Sequence, residues 1–400
     1  MSRVRLLSLT LLLWSAQPVS AQDGTLDPSF NVGTGLNNQI WTMALQADGK
    51  VLIGGMFTSY NGTSCNYLAR LNSDGSFDGT FNTGTGPNGY VSAITVQPDG
   101  KILISGQFYV FNGTPVYQIT RLTPAGSLDP TFTPDQPALP TCSKMQLQPD
   151  GKILFLEETG SILSRLNANG SLDMSIQPSP LLLNDAIEDF DLQPDGKILV
   201  GGGFTMHNGT PRNQITRINP DFTLDPTFVP VAGANWVHAI AHQPDGKILI
   251  GGQFTSIGGM PRPGVARLDP SGSLDAGFDT DTVGGDSVTK LLVQPDGKIL
   301  IGVQFPFPPE PPFFEIDPFF YRVNADGGLD SSFDLGTGPN GFPQTMVLQP
   351  DGKILIGGTF TTYDGADRNM IARINGTARA RITVMLEGPY SVGQMNDALR

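Results

Sequence analysis

The sequence predicts an all-β fold made of seven repeats of about fifty residues that close into a ring. Three observations carry that reading: a turn motif that recurs seven times, a hairpin motif that recurs six times, and a split repeat whose missing piece lies at the other end of the chain.

The turn motif is clearest in LQPDGKILIGGTF, residues 348–360. Its copies begin at Gln46, Gln97, Gln148, Gln193, Gln243, Gln294 and Gln349, with spacings of 51, 51, 45, 50, 51 and 55 residues. In TVQPDGKILI, Pro98 and Asp99 suit the two central positions of a type I turn and Gly100 the left-handed position after it, which makes a hairpin. The strand before the turn is mixed, whereas the one after it, from Lys101 to Ile104, is a continuous apolar run that implies burial on both faces. A small sheet cannot cover both of its own faces, so the next repeat must cover one of them.

The second motif, RLTPAGSLDPTF at residues 121–132, recurs at 70, 165, 217, 267 and 322. Two hairpins per repeat predict four strands. The Arg and the second acidic position stand eight residues apart about a tight turn, so they face each other across it. Cross-strand ion pairs are therefore expected for Arg70 with Asp78, Arg121 with Asp129, Arg165 with Asp173, Arg217 with Asp225, Arg267 with Asp275 and Arg322 with Asp330. Each would contribute about 0.2–1 kcal/mol and serve structure, not catalysis.

After the seventh turn the chain reads MIARING at 370–376 and leaves the pattern without a SLDxxF piece. DGTLDPSF, from Asp23 to Phe30, precedes the first turn and supplies that piece, with Asp27 placed to meet Arg373. The expectation is a seven-bladed β-propeller of four-stranded blades of about 51 residues, the last blade completed by the N-terminal strand. A linear solenoid would carry atypical capping repeats instead. Two repeats depart from the norm: the third has lost seven residues between its hairpins, and the sixth has gained four and carries QFPFPPEPPFFEIDPFFYR there.

QPDGKILIGGxF followed by RLNxDGSLDxxF at a period near fifty resembles the delta-60 repeat, over residues 23–376. That resemblance implies a β-propeller module of exported bacterial proteins and no defined biochemical role. Fold does not supply function.

Residues 1–21 read as a secretory signal peptide: Arg3 and Arg5 begin it, Leu6 to Trp14 is apolar, and Val19-Ser20-Ala21 is a small-residue cleavage site. The apolar stretch is too short to span a membrane. A soluble exported monomer, secreted or at the cell surface, is expected. Residues 377–400 belong to no repeat and read as a strand or linker toward a part of a longer surface protein. Glycine (49) and proline (33) are abundant and only 15% of residues are charged, which suits tight turns around short buried strands. A net charge of −13 argues against nucleic acid as partner. Cys65 and Cys142 fall in the first and third repeats with a repeat between them, so two unpaired, half-buried thiols are expected.

Candidate chemistry is sparse. The histidines are His207, His238 and His242. His207 stands where other repeats have Tyr60, Phe111, Ile257 and Tyr363, and reads as packing; His242 lies on the first strand and reads as core. His238 belongs to a column that varies between repeats where its neighbours recur: Trp41, Ser92, Ser143, Glu188, His238, Thr289 and Gln344. The next column is Thr42, Ala93, Lys144, Asp189, Ala239, Lys290 and Thr345. With the first strand innermost, one of these columns lines the channel mouth, where a small ligand would bind. The insert of the sixth repeat offers a partner-binding surface through Phe307, Phe313, Phe314, Phe319 and Phe320. No cofactor is implied. NSDGSFD at 72–78 and NADGGLD at 324–330 only loosely resemble Ca²⁺ loops, and Asp-Gly hairpin turns produce that pattern by default.

Two function classes compete. One is a non-catalytic binding scaffold for a protein or glycan outside the cytoplasm; the other is an enzyme acting on an extracellular polymer from the channel mouth. The lack of paired acid and base groups favours the scaffold.

Overall fold

The computed structural model describes residues 22–134, 140–160, 162–176, 183–231, 233–280, 287–303 and 319–376. The expected signal peptide, the C-terminal segment, and Phe307, Phe313 and Phe314 lie outside them. Within them the chain is all-β. Its one helical element is the single 3-10 turn Met174–Ile176, and no helix is long and apolar enough to cross a membrane.

Each unit forms an antiparallel sheet whose order follows the chain. In the first, Ile40–Leu45 pairs with Val51–Gly55, which pairs with Leu68–Leu71. Seven such three-stranded sheets recur among the described residues. The QPDGK hairpin forms as its residues dictate. Gly100 takes φ +81°, Gly100 N–H donates to Gln97 O at 2.9 Å, and Asp99 Oδ1 accepts the Lys101 N–H at 3.1 Å. The middle strand is buried along its whole length, as the continuous apolar run requires.

A fourth strand was expected, and the structure reduces it to one bridging residue. Phe77 bridges Leu71, and Leu128, Leu172, Leu224, Leu274 and Leu329 do the same in their units. The cause is the next residue. The Asp78 carboxylate accepts the Thr80 N–H and its carbonyl accepts the Phe81 N–H, which folds the chain away from the sheet edge. In the last sheet the bridging residue is Leu26, opposite Ile374, with the Asp27 N–H on Arg373 O at 2.8 Å. Short two-stranded ribbons such as Ser59–Tyr60 with Thr63–Ser64 were not foreseen. They turn at Asn61 and Gly62, both at positive φ, and carry Tyr60, Phe111, His207, Ile257 and Tyr363 at one equivalent position.

Every predicted Arg–Asp pair is in contact, and each is more than a cross-strand pair. Arg70 Nε lies 2.6 Å from Asp78 Oδ2, the Lys50 ammonium of the turn motif reaches the same oxygen at 2.8 Å, and Arg70 Nη1 donates to Pro124 O of the next unit at 2.8 Å. The guanidinium also stands over the Phe81 ring at 4.7 Å. Arg373 repeats this with Asp27, Lys353, Phe30 and Ser73 O. Arg322, wholly buried, spans from Asp330 to Asp23 Oδ2 at 2.6 Å. Each clamp thus ties its own turn to the following unit.

Between sheets, the first glycine of each Gly-Gly pair receives the neighbour's side chains. A Cβ at Gly201 would stand 2.7 Å from Val237 Cγ1, and one at Gly251 2.6 Å from Val288 Cγ1. The first strands pack on one another in chain order, and Pro343–Leu348 of the last sheet packs on Ile40–Leu45 of the first.

Candidate functional site

Each first strand contains one residue too many. Ile40 faces Gly55 and Thr42 faces Gly54, leaving Trp41 as a β-bulge. The same break leaves Ser92, Ser143, Glu188, His238, Thr289 and Gln344 unpaired in the other six sheets. The second glycine of the pair makes room for the kink in most units. At Gly252 a Cβ would sit on the Trp236 carbonyl oxygen, and at Gly202 on that of Ala186. A bulge bends its strand and re-aims a side chain. The bulged residue and its successor therefore reach one space together, where strict alternation would have sent them to opposite faces.

That space is a cavity of about 310 Å³. All seven bulge residues line it, together with Thr42, Lys144, Asp189, Ala239, Lys290 and Thr345 from the following column; Ala93 is buried instead. The sequence could single out the variable column but could not say that two adjacent columns share one cavity.

Charge is concentrated on the units three to six. Lys144 Nζ lies 2.7 Å from Asp189 Oδ1, while Asp189 Oδ2 accepts the Ile240 N–H at 2.8 Å. His238 Nδ1 is 3.7 Å from Glu188 Oε2. The His238 contact holds the Glu188 carboxyl below its ordinary range against the opposing effect of burial. Lys290 makes no ion pair among the described residues. Crowding by protein atoms pushes its pKa below the usual lysine value, although Asp189 and Glu188 pull the other way. Water still reaches it through the cavity. Beside it the buried Thr289 hydroxyl has no hydrogen-bond partner among the described residues. Trp41 of the first unit also lines the cavity, packed edge-on against Tyr90 at 4.5 Å. The Tyr90 hydroxyl donates to Glu158 Oε1 at 3.2 Å.

Other candidates fall elsewhere. His207 is fully buried in its ribbon, and burial lowers its pKa. His242 is half-exposed rather than core: Nδ1 lies 2.6 Å from Asp191 Oδ2, a pairing that raises its pKa. The core expectation failed because the pattern assigned a face to His242 and could not show the carboxylate one unit away. Phe320, expected on a binding surface, is wholly buried in the strand Phe320–Val323, and Phe319 packs edge-on against Phe342. Phe320 belongs to the sheet into which the insert returns, and the Phe319 carbonyl just before it accepts the Val303 N–H at 2.8 Å. Cys65 and Cys142 are free and buried rather than half-buried, and burial pushes their thiols up to about 11 and about 12. In NSDGSFD the carboxylates are engaged internally, Asp74 by Ser76 and Asp78 by Arg70 and Lys50. No group of three or more His, Cys, Asp or Glu gathers among the described residues.

The fold and the repeats agree with known proteins. The extracellular domain of the putative one-component system BT4673 from B. thetaiotaomicron is similar at 16% identity and a TM-score of 0.54, over 86% of this chain and 39% of that one. A second structure, of the extracellular domain of the putative hybrid two-component system BT4673 from B. thetaiotaomicron, gives 15% identity and a TM-score of 0.52, over 88% and 39%. This chain thus spans well under half the length of either. No curated protein matches it. A model described as "Domain of unknown function (DUF5122) beta-propeller" matches residues 46–81, 97–132, 148–175, 193–228, 243–278 and 349–376. Those six segments begin at six of the seven turn motifs and together make up half of the chain, which therefore belongs to the DUF5122 β-propeller family.

Proposed function

We propose that the chain is a closed seven-bladed propeller of the delta-60 type, exported from the cell, that acts as a non-catalytic scaffold binding a protein or glycan at the cavity. The contact between first and last sheets and the docking of Asp23 to Phe30 on the last one support closure. The leader-like N-terminus and the extracellular domains among its structural neighbours support export.

One observation carries the binding role. Seven side chains of six kinds converge on one cavity, while the chemistry around them repeats unit after unit. A scaffold alone has no need of that difference.

The second reading, a hydrolase or lyase of an extracellular polymer, rests on the Glu188–His238 contact with Lys290 nearby. Immobilised protein, offered a panel of extracellular polysaccharides and envelope proteins, separates the two. Retention without product release, lost in a Glu188→Gln/His238→Gln variant, is the expected outcome. Product release that depends on both residues would establish the enzyme instead. Retention unaffected by the double variant would move the binding surface off the cavity, with the Phe313-Phe314 insert as the next place to substitute.

A further inference from the structure

The cavity wall from unit six through unit seven to unit one presents a consistent set of groups. Lys290 supplies an ammonium with no carboxylate paired to it among the described residues. Thr289 beside it also lines the cavity, with its hydroxyl buried and without a hydrogen-bond partner among the described residues. Gln344 and Thr345 follow on the next strand, and Trp41 closes the arc with an aromatic ring. Across the cavity Lys144 is already neutralised by Asp189, and Glu188 is in contact with His238.

Ligand classes can be sorted against this wall. An apolar ligand would strand the polar groups. A phosphate dianion would bring two negative charges to one uncommitted cation. A cationic ligand would be repelled by Lys290, and a neutral sugar would leave that ammonium without an anion. A ligand with one carboxylate, several hydroxyls and a ring with an apolar C–H face satisfies all of them. Charge-assisted hydrogen bonds fix the carboxylate, amide and hydroxyl side chains take the hydroxyls, and the tryptophan takes the ring face. A volume near 310 Å³ lies at the lower end of the range of small-ligand sites and suits one sugar unit.

We infer that the cavity binds a carboxylated sugar, a hexuronic acid unit, with its carboxylate on Lys290 and its ring against Trp41. The inference rests on the cavity being the binding site and adds the class of ligand.

Calorimetric or NMR titration with an oligogalacturonate and with a neutral cello-oligosaccharide of equal length tests it on the mature protein. The uronate should bind and the neutral chain should bind at least about tenfold more weakly, the value of one charge-assisted contact. Lys290→Met should abolish that preference, and Trp41→Ala should weaken both sugars, with unfolding midpoints confirming that each variant is folded. Equal binding of the two chains, or a preference that survives Lys290→Met, overturns the inference. If neither sugar binds while another partner is retained and lost in the Glu188→Gln/His238→Gln variant, the ligand class is wrong and the cavity reading stands. If nothing depends on the cavity, both fail.

Discussion

Two sevenfold sets of side chains recur at the same spacing, and they have opposite characters. At the clamps every unit uses the same chemistry, an Arg and a Lys on one Asp oxygen, from Arg70, Lys50 and Asp78 to Arg373, Lys353 and Asp27. At the bulges every unit has a similar backbone kink, and the side chains range from tryptophan to serine to glutamate. A buried ion pair tolerates little change, because removing one partner leaves an uncompensated charge. A bulge facing a cavity places few demands on its side chain. The clamps therefore record what the fold needs, and the bulges record what it can vary.

Acid attacks all the clamps together and should have the largest effect. For Asp78, burial alone would raise the pKa, but the hydrogen bonds from Lys50, Thr80 and Arg70 outweigh it and hold the carboxyl far below its ordinary range. The other six clamp carboxylates behave alike, with Asp275 lowered to about 2. A group depressed in the folded state adds stability above its unfolded pKa and loses it as pH falls toward the folded one. The ordinary value for an aspartate side chain is 3.8, so this contribution should be intact above about pH 5 and fall away from about pH 4 to pH 2 and below. Thermal melts across that range check it. A melting temperature flat down to pH 2 would remove the clamps from the stability of the fold.

A single clamp comes next. Asp225→Ala leaves Arg217 and Lys197 without their carboxylate, whose side chain is 2% exposed. The expected cost is about 3–5 kcal/mol, read from urea unfolding. A loss below about 1 kcal/mol would put the clamp among exposed pairs and erase the contrast with the bulges.

Gly252→Ala bears on the bulge itself. The added methyl would meet the Trp236 carbonyl oxygen, so the strand carrying His238 must shift. About 1–3 kcal/mol should be lost, and the His238 imidazole resonances should move in NMR spectra. Unchanged resonances would mean that the kink does not depend on the close approach.

Much of this was legible in the sequence, and the limits have physical causes. The turn, the apolar middle strand and the Arg–Asp pair are local features, set within a dozen residues, and repetition made each visible several times. The role of Lys50 was missed because its partner Asp78 is 28 residues away and reached only when the sheet forms. The bulge was missed because it breaks the two-residue period by which strand faces are read. That break placed both variable columns at one cavity, although only one was expected to line it. The fourth strand was overcounted because one bridging residue and a strand begin with the same sequence.

The smallest effect on stability should come from exchanging one bulge residue for another. His238→Ser installs the residue found at the bulges of the second and third units, Ser92 and Ser143. His238 makes one 3.7 Å contact with the Glu188 carboxylate and a tilted ring contact with Trp236 at 6.1 Å. Neither contact holds two sheets together as a clamp does, so the change in unfolding free energy should stay within about 0.5 kcal/mol. The Glu188 carboxyl should then titrate closer to its ordinary value, because the imidazole contact that lowers it has gone. Carbon-detected NMR titration of Glu188 reads that shift, and unfolding in urea reads the stability. A loss of more than about 2 kcal/mol would make His238 part of the framework, and variation along the bulge column would then reflect seven different local solutions to packing rather than freedom to choose a ligand.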